Sequence, residues 1–213
     1  MSPLSYITED MLTNLREKIR MYMGERRYLH TLAVEEEVAR LAELYLPNNI
    51  AEIRAAALLH DITKEWTFPE QIAFCKAHGI PLSREERMSP KVLHAVTAPI
   101  FIEKEFPCFA RPQILSAIRT HTVGGCRMPL FSKLLYLADY IEKTRTFPEC
   151  IALRKMFWNS DMPHTKNGRA CHLDRVIRAS YDMTLRALLA EGAPISVTTV
   201  RARNELLSKN LQL

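Results

Sequence analysis

Apolar residues in this chain recur mostly at three- and four-residue spacings, and strict alternation is rare, so the pattern predicts helices rather than strands. A first helix is expected over 7–23, with Thr8 as its cap and acids in its first turn. A second covers 26–46, where Leu32, Val34, Val38, Leu41, Ala42 and Tyr45 share a stripe, and it stops at Pro47-Asn48-Asn49. Asn49 then caps a third over 50–63, with Glu52 at its third position. Thr67-Phe68-Pro69 opens a short fourth helix that ends near His78-Gly79. Ser83 and Glu86 stand at capping-box spacing. Ser89-Pro90 opens the helix that carries His94, and Pro107 follows its end. Further helices are expected over 111–121, 131–144, 149–159, 172–190 and 197–212, with a polar loop over 162–168.

The fold class is therefore all-α. Repeats, low-complexity segments and an obvious linker are absent, so one domain spans 1–213, with its core at about 15–160 and a C-terminal helical extension at about 161–213. At 47% hydrophobic residues the chain can bury a substantial core. The net charge of +5 suits a polyanionic ligand, whereas no Lys/Arg run is dense enough for a dedicated nucleic-acid surface. The five cysteines are scattered and form no CxxC, which fits reduced thiols in the cytoplasm. Acids near residue 10 disfavour a signal peptide, and no apolar run is long enough to cross a membrane.

The chemistry lies in His30, His60-Asp61, His94, His121 and Asp139. Each falls on or near the end of a separate expected helix, so one cleft could gather four imidazoles and two carboxylates, enough for two metal ions. Imidazole and carboxylate without thiolate suit iron, manganese, cobalt or zinc and disfavour a structural zinc site. Adjacent residues on a regular helix diverge by ~100°, so His60 and Asp61 can share a site only near a helix end. Asp139 follows Leu134-Leu135-Tyr136-Leu137-Ala138. A carboxylate there needs a partner, either a metal or an arginine such as Arg145. His78, His164 and His172 do not fit the pattern and read as ordinary histidines.

Several segments together resemble the YqeK family of HD-domain proteins. They are Arg27-Tyr28-Leu29-His30, Ala57-Leu58-Leu59-His60-Asp61-Ile62-Thr63-Lys64, His94-Ala95, Thr120-His121-Thr122-Val123-Gly124 and Ala138-Asp139-Tyr140-Ile141-Glu142-Lys143-Thr144-Arg145. The resemblance extends from about residue 15 to Asn204. It implies an HD-domain helical bundle and symmetrical bis(5'-nucleosyl)-tetraphosphatase activity, in which a metal-bound hydroxide cleaves diadenosine tetraphosphate to two ADP. It further implies that His30, His60, Asp61 and Asp139 hold one metal, and that Asp61 bridges to a second held by His94 and His121. Two iron ions are implied, with manganese or cobalt as substitutes. Asp61 and Lys64 become the catalytic pair, with Lys64 facing phosphate, and Arg27, Thr122, Gly124 and Arg145 lie near the nucleotide. A homodimer is compatible with it.

One stretch departs from the family pattern: Ala95-Val96-Thr97-Ala98-Pro99 replaces a run of small residues with glycine. A bulkier pocket wall, a bend at Pro99 and an altered nucleoside preference are the expectations. Two other functions remain open at this stage. One is a hydrolase of another nucleotide, such as an alarmone or a nucleoside triphosphate, although Lys64-Glu65 departs from the HDxxED typical of alarmone hydrolases. The other is a non-catalytic nucleotide-binding regulatory module, against which the full set of six ligands speaks.

Overall fold

A computed structural model describes residues 6–210. Eleven α-helices and no strand occur among them: α1 (Glu9–Ile19), α2 (Glu25–Tyr45), α3 (Ile50–Leu59), α4 (Phe68–Ala77), α5 (Arg84–Met88), α6 (His94–Glu105), α7 (Pro112–Thr120), α8 (Leu130–Ile141), α9 (Pro148–Trp158), α10 (Lys166–Ala190) and α11 (Val197–Asn210). No helix is long and apolar enough to cross a membrane among these residues.

Helix starts follow the capping chemistry of the sequence. Thr8 Oγ1 accepts the Met11 N–H, and Glu9 and Asp10 fill the first turn of α1. Complete capping boxes form at Thr67/Glu70 and Ser83/Glu86. Asn49 behaves differently from expectation. Its side chain accepts no cap bond from α3 but donates from Nδ2 to Glu52 Oε2 at 2.8 Å.

α3 forms the centre of the molecule. Ile53 and every residue from Ala55 to Leu59 are fully buried. The alanines let α2 and α7 approach closely, while α1 and α8 complete the shell. This apolar cluster runs without a break from Ile7 to Leu206 and includes Leu173, Val176, Ile177 and Tyr181 of α10 and Ala202 of α11. The last two helices therefore share the core, with α10 against α8 and α9 and α11 against α10.

Several expected boundaries shift. The first helix closes at Ile19, and a single 3₁₀ turn follows at Arg20–Tyr22. α3 ends at Leu59 instead of residue 63, and α8 at Ile141 instead of 144. His94 begins α6, because the Ser89-Pro90 start produces only a 3₁₀ turn at Pro90–Val92. α10 starts at Lys166, inside the expected polar loop, where Thr165 Oγ1 accepts the Gly168 N–H at 3.0 Å. The end of the expected last helix, at Gln212, lies outside the described residues. α6 continues through Pro99 to Glu105, so the proline does not end it.

Candidate metal centre and active-site cavity

His60 and Asp61 point into one site because regular helix stops just before them. After Leu59 the chain turns with three-residue hydrogen bonds, Ile62 N–H to Leu59 O at 3.2 Å and Lys64 N–H to Asp61 O at 2.9 Å. That tight turn at the end of α3 presents both side chains to the space between α2, α6, α7 and α8. His30 enters it from α2, His94 from the start of α6, His121 from the residue after α7, and Asp139 from the last turn of α8. All six expected donors meet there.

Asp61 stands at the middle, and its two oxygens face different neighbours. Oδ2 lies 3.4 Å from His60 Nε2 and 3.9 Å from His30 Nε2. Oδ1 lies 3.1 Å from His94 Nε2 and 3.6 Å from His121 Nε2. Asp139 Oδ1 closes the first group, 3.1 Å from His30 Nε2 and 4.0 Å from His60 Nε2. Two donor sets are compact enough for one cation each: His30, His60 and Asp139, and His60, Asp61 and His121.

The far sides of the rings explain their aim. His30 Nδ1 pairs with Glu142 Oε1 at 3.0 Å, His60 Nδ1 with Ala57 O at 2.6 Å and His121 Nδ1 with Ile118 O at 2.6 Å. A carbonyl or carboxylate behind Nδ1 holds the proton there and leaves the Nε2 lone pair facing inward. His30 Nε2 and His60 Nε2 are buried with carboxylate oxygens close by, yet neither makes an aligned hydrogen bond. Inward, unpartnered imidazole nitrogens beside carboxylates fit a divalent metal. His94 is the exception, since Lys64 Nζ lies 3.3 Å from its Nδ1.

Glu142 escaped the sequence reading, although it lies within the matching segment. It is fully buried, and besides His30 it receives the Thr144 hydroxyl at 2.7 Å. Its signal was a second acid one turn after Asp139, beside the apolar Ile141.

Cations already surround the carboxylates. Arg27 Nη1 sits 2.6 Å from Asp61 Oδ2, and Arg145 Nη2 sits 2.5 Å from Asp139 Oδ1. Burial alone would raise Asp139, but the Arg145 charge and the nearby His30 ring hold its carboxyl well below the usual range. Asp61 is likewise held low against burial, by its close contacts with His60, His121 and His94. Burial opposes charge on His30, yet close contacts with Asp139 and Glu142 raise it to about 9. His94 goes the other way, to about 4, because burial outweighs its contacts with Asp61 and both His121 and Lys64 oppose a charge.

Above the cluster lies a cavity of about 390 Å³ lined by Lys64, Asp139, Tyr140, Arg145, Cys150 and Thr184. Thr122 lines it too, and its hydroxyl is buried without a partner. Gly124 lies outside this cavity, on a neighbouring one. It has a left-handed φ of 73°, and an added Cβ would stand 2.0 Å from the Tyr181 hydroxyl, so backbone and packing both demand glycine. The bulkier run after His94 is almost wholly inside the core. Of that run Val96 alone lines either of these two cavities, and not the one above the metal cluster, so the run does not wall that pocket as expected. His78 caps α4 beside Phe74, and buried His172 contacts Phe157 O, both away from the centre.

Residues 27–144 match the family pattern of the HD domain. Three bacterial relatives carry the name bis(5'-nucleosyl)-tetraphosphatase, symmetrical. The protein of Halalkalibacterium halodurans is 29% identical over 191 residues, covering 89% of this chain and 93% of its own. That of Bacillus subtilis is 28% identical, covering 89% and 94%. That of Staphylococcus aureus is 30% identical over 137 residues, covering 64% and 69%. A crystal structure from Clostridium acetobutylicum, described as a predicted HD superfamily hydrolase involved in NAD metabolism, superposes with a TM-score of 0.79 at 28% identity, covering 92% of this chain and 97% of that one.

Proposed function

The chain belongs to the HD-domain family, and on that premise we propose that it is a metal-dependent phosphohydrolase that cleaves diadenosine tetraphosphate symmetrically into two ADP. The observation that carries this reading is Asp61, whose oxygens face separate imidazole groups beside a cavity that Asp139, Lys64 and Arg145 line.

In this reading His30, His60, Asp61 and Asp139 hold one ion, and Asp61, His94 and His121 hold a second. Ions held there supply positive charge that withdraws electrons from phosphoryl oxygens and lowers the pKa of water. Iron is the proposed metal, with manganese or cobalt able to replace it, since the donors are nitrogen and oxygen only. Glu142, Ala57 O and Ile118 O hold the rings in place, so that the donors need little reorganisation. Lys64 and Arg145, at the cavity wall, offset charge on the phosphates, and Arg27 sits behind Asp61. The Thr122 hydroxyl offers a further donor. Five free cysteines agree with a reducing cytoplasm as the place of action.

The test is ion-exchange analysis of products after iron- or manganese-loaded protein meets diadenosine tetraphosphate. ADP as sole product is expected. ATP with AMP would mean attack at another phosphorus, and no turnover by protein shown to carry metal would overturn the reading.

A further inference from the structure

Beyond the first cavity lies a larger one, of about 720 Å³, which no step above uses. The two share Ser89, Val92, Thr122, Val123 and Ser196, so a ridge separates them. Only the smaller reaches Asp139, Lys64 and Arg145. The larger is bounded by α5, the end of α7 and the start of α11.

Its charges are unevenly satisfied. Glu86 pairs with Arg119 at 2.5 Å, and Glu85 Oε2 accepts the Val197 N–H at 3.1 Å. Arg201 lines the same cavity and makes no ion pair or hydrogen bond among the described residues. On the ridge, the Thr122 hydroxyl is buried without a partner. An exposed guanidinium without a carboxylate partner and a spare buried hydroxyl are what a ligand with an aromatic base and a phosphate chain would meet.

Symmetrical cleavage adds a geometric demand. The broken bond is at the middle of the substrate, so an equal half extends to each side of the metal centre. A cavity of 390 Å³ suits one half. We propose that the larger cavity is the subsite for the second nucleoside, that the phosphate chain crosses the ridge beside Thr122, and that Arg201 lies against the distal base. This rests on the function proposed above. Val96 lines this subsite, so the departure from the family pattern after His94 bears on the second nucleoside and not on the metals.

The experiment compares two substrates on metal-loaded full-length protein. Diadenosine tetraphosphate needs both cavities. Adenosine 5'-tetraphosphate has the same four phosphates but one nucleoside, and water attack at the same bond yields ADP and pyrophosphate. Thr198, exposed on α11 and lining only the larger cavity, is replaced by Trp to fill it. Thr198→Trp is expected to lower kcat/KM for the dinucleotide at least about tenfold and to leave adenosine tetraphosphate within about twofold. Arg201→Ala should act in the same direction by about threefold to tenfold. Equal losses on both substrates, or none on either, would overturn the subsite while leaving the hydrolase standing. Failure of the unsubstituted protein to cleave diadenosine tetraphosphate would instead remove the premise.

Discussion

His30 and His94 are both buried imidazoles facing Asp61, and they titrate in opposite directions, to about 9 and to about 4. Burial disfavours the imidazolium at both positions, so the difference lies in what stands opposite. His30 has Asp139 in front and Glu142 behind, at 3.1 and 3.0 Å. His94 has one Asp61 oxygen, but His121 Nε2 stands 3.0 Å away and the Lys64 ammonium stands behind it. Counting what faces each imidazole directly, the His30 half is anionic, with Arg145 and Arg27 on the outer sides of its carboxylates, and the His94 half is nearly neutral, with one Asp61 oxygen set against the Lys64 ammonium. A metal at the first half would meet more negative charge but compete with the proton on His30, whereas one at the second half would meet the Lys64 ammonium and is expected to bind more weakly.

Asp61 joins the halves, and removing it is the largest perturbation available. Asp61→Ala should lower turnover by more than about 10³-fold, because the transition-state charge loses both ions' positioning. Metal analysis should show both halves depleted. Substantial turnover by an Asp61→Ala protein that has lost its metal would sink the mechanism.

The donors were legible in the sequence because their chemistry is stark. A histidine next to an aspartate, or an aspartate after five mostly apolar residues, leaves few structural explanations. The asymmetry between halves was not legible. It depends on Glu142 reaching back to α2 and on Lys64 folding behind His94, which are contacts across 112 and 30 positions. Boundaries failed for local reasons. Ile62 is fully buried, which extends the apolar pattern past the true end of α3. The first turn of α10 is polar and partly or fully exposed at Lys166, Asn167, Gly168 and Arg169, so no apolar stripe announces it. The second cavity escaped because its walls come from α5, α7 and α11, which no sequence motif links.

Stability of the metal-free protein separates the halves by pH. His30 has a folded-state value above its unfolded value near 6.5, so its contribution is complete below about pH 6.5 and is lost as pH rises through about 9. The magnitude is on the order of 3 kcal/mol. His94 is depressed, so its contribution is complete above about pH 6.5 and is lost as pH falls through about 4. Urea unfolding in chelator should therefore peak near pH 6.5. His30→Gln should flatten the alkaline limb and spare the acid one; an unchanged alkaline limb would contradict the assignment.

A smaller change isolates the anionic half. Glu142→Gln keeps a hydrogen-bonding group behind His30 but removes its charge. Metal affinity at that half should fall by about 10- to 100-fold, while the second half is unaffected. Calorimetric titration should then resolve two sites of more similar affinity. Parallel weakening of both would mean that Glu142 supports the fold generally.

Lys64→Met is the smallest and most discriminating test on the neutral half. In the metal-free arrangement the Lys64 ammonium donates toward His94 Nδ1, which leaves the proton of neutral His94 on Nε2, facing His121 Nε2 at 3.0 Å. A metal at Nε2 requires the opposite tautomer, with Nδ1–H turned toward Lys64. The ammonium then opposes the metal twice, through the tautomer and through charge repulsion. Removing it should strengthen metal binding at this half by about threefold to tenfold, even as kcat/KM falls through loss of a phosphate partner. Tighter metal with weaker catalysis in one variant is an outcome that a merely structural Lys64 would not produce. If metal affinity and activity fell together, Lys64 would be holding His94 in place, and the neutral half would depend on the same kind of tether as the anionic one.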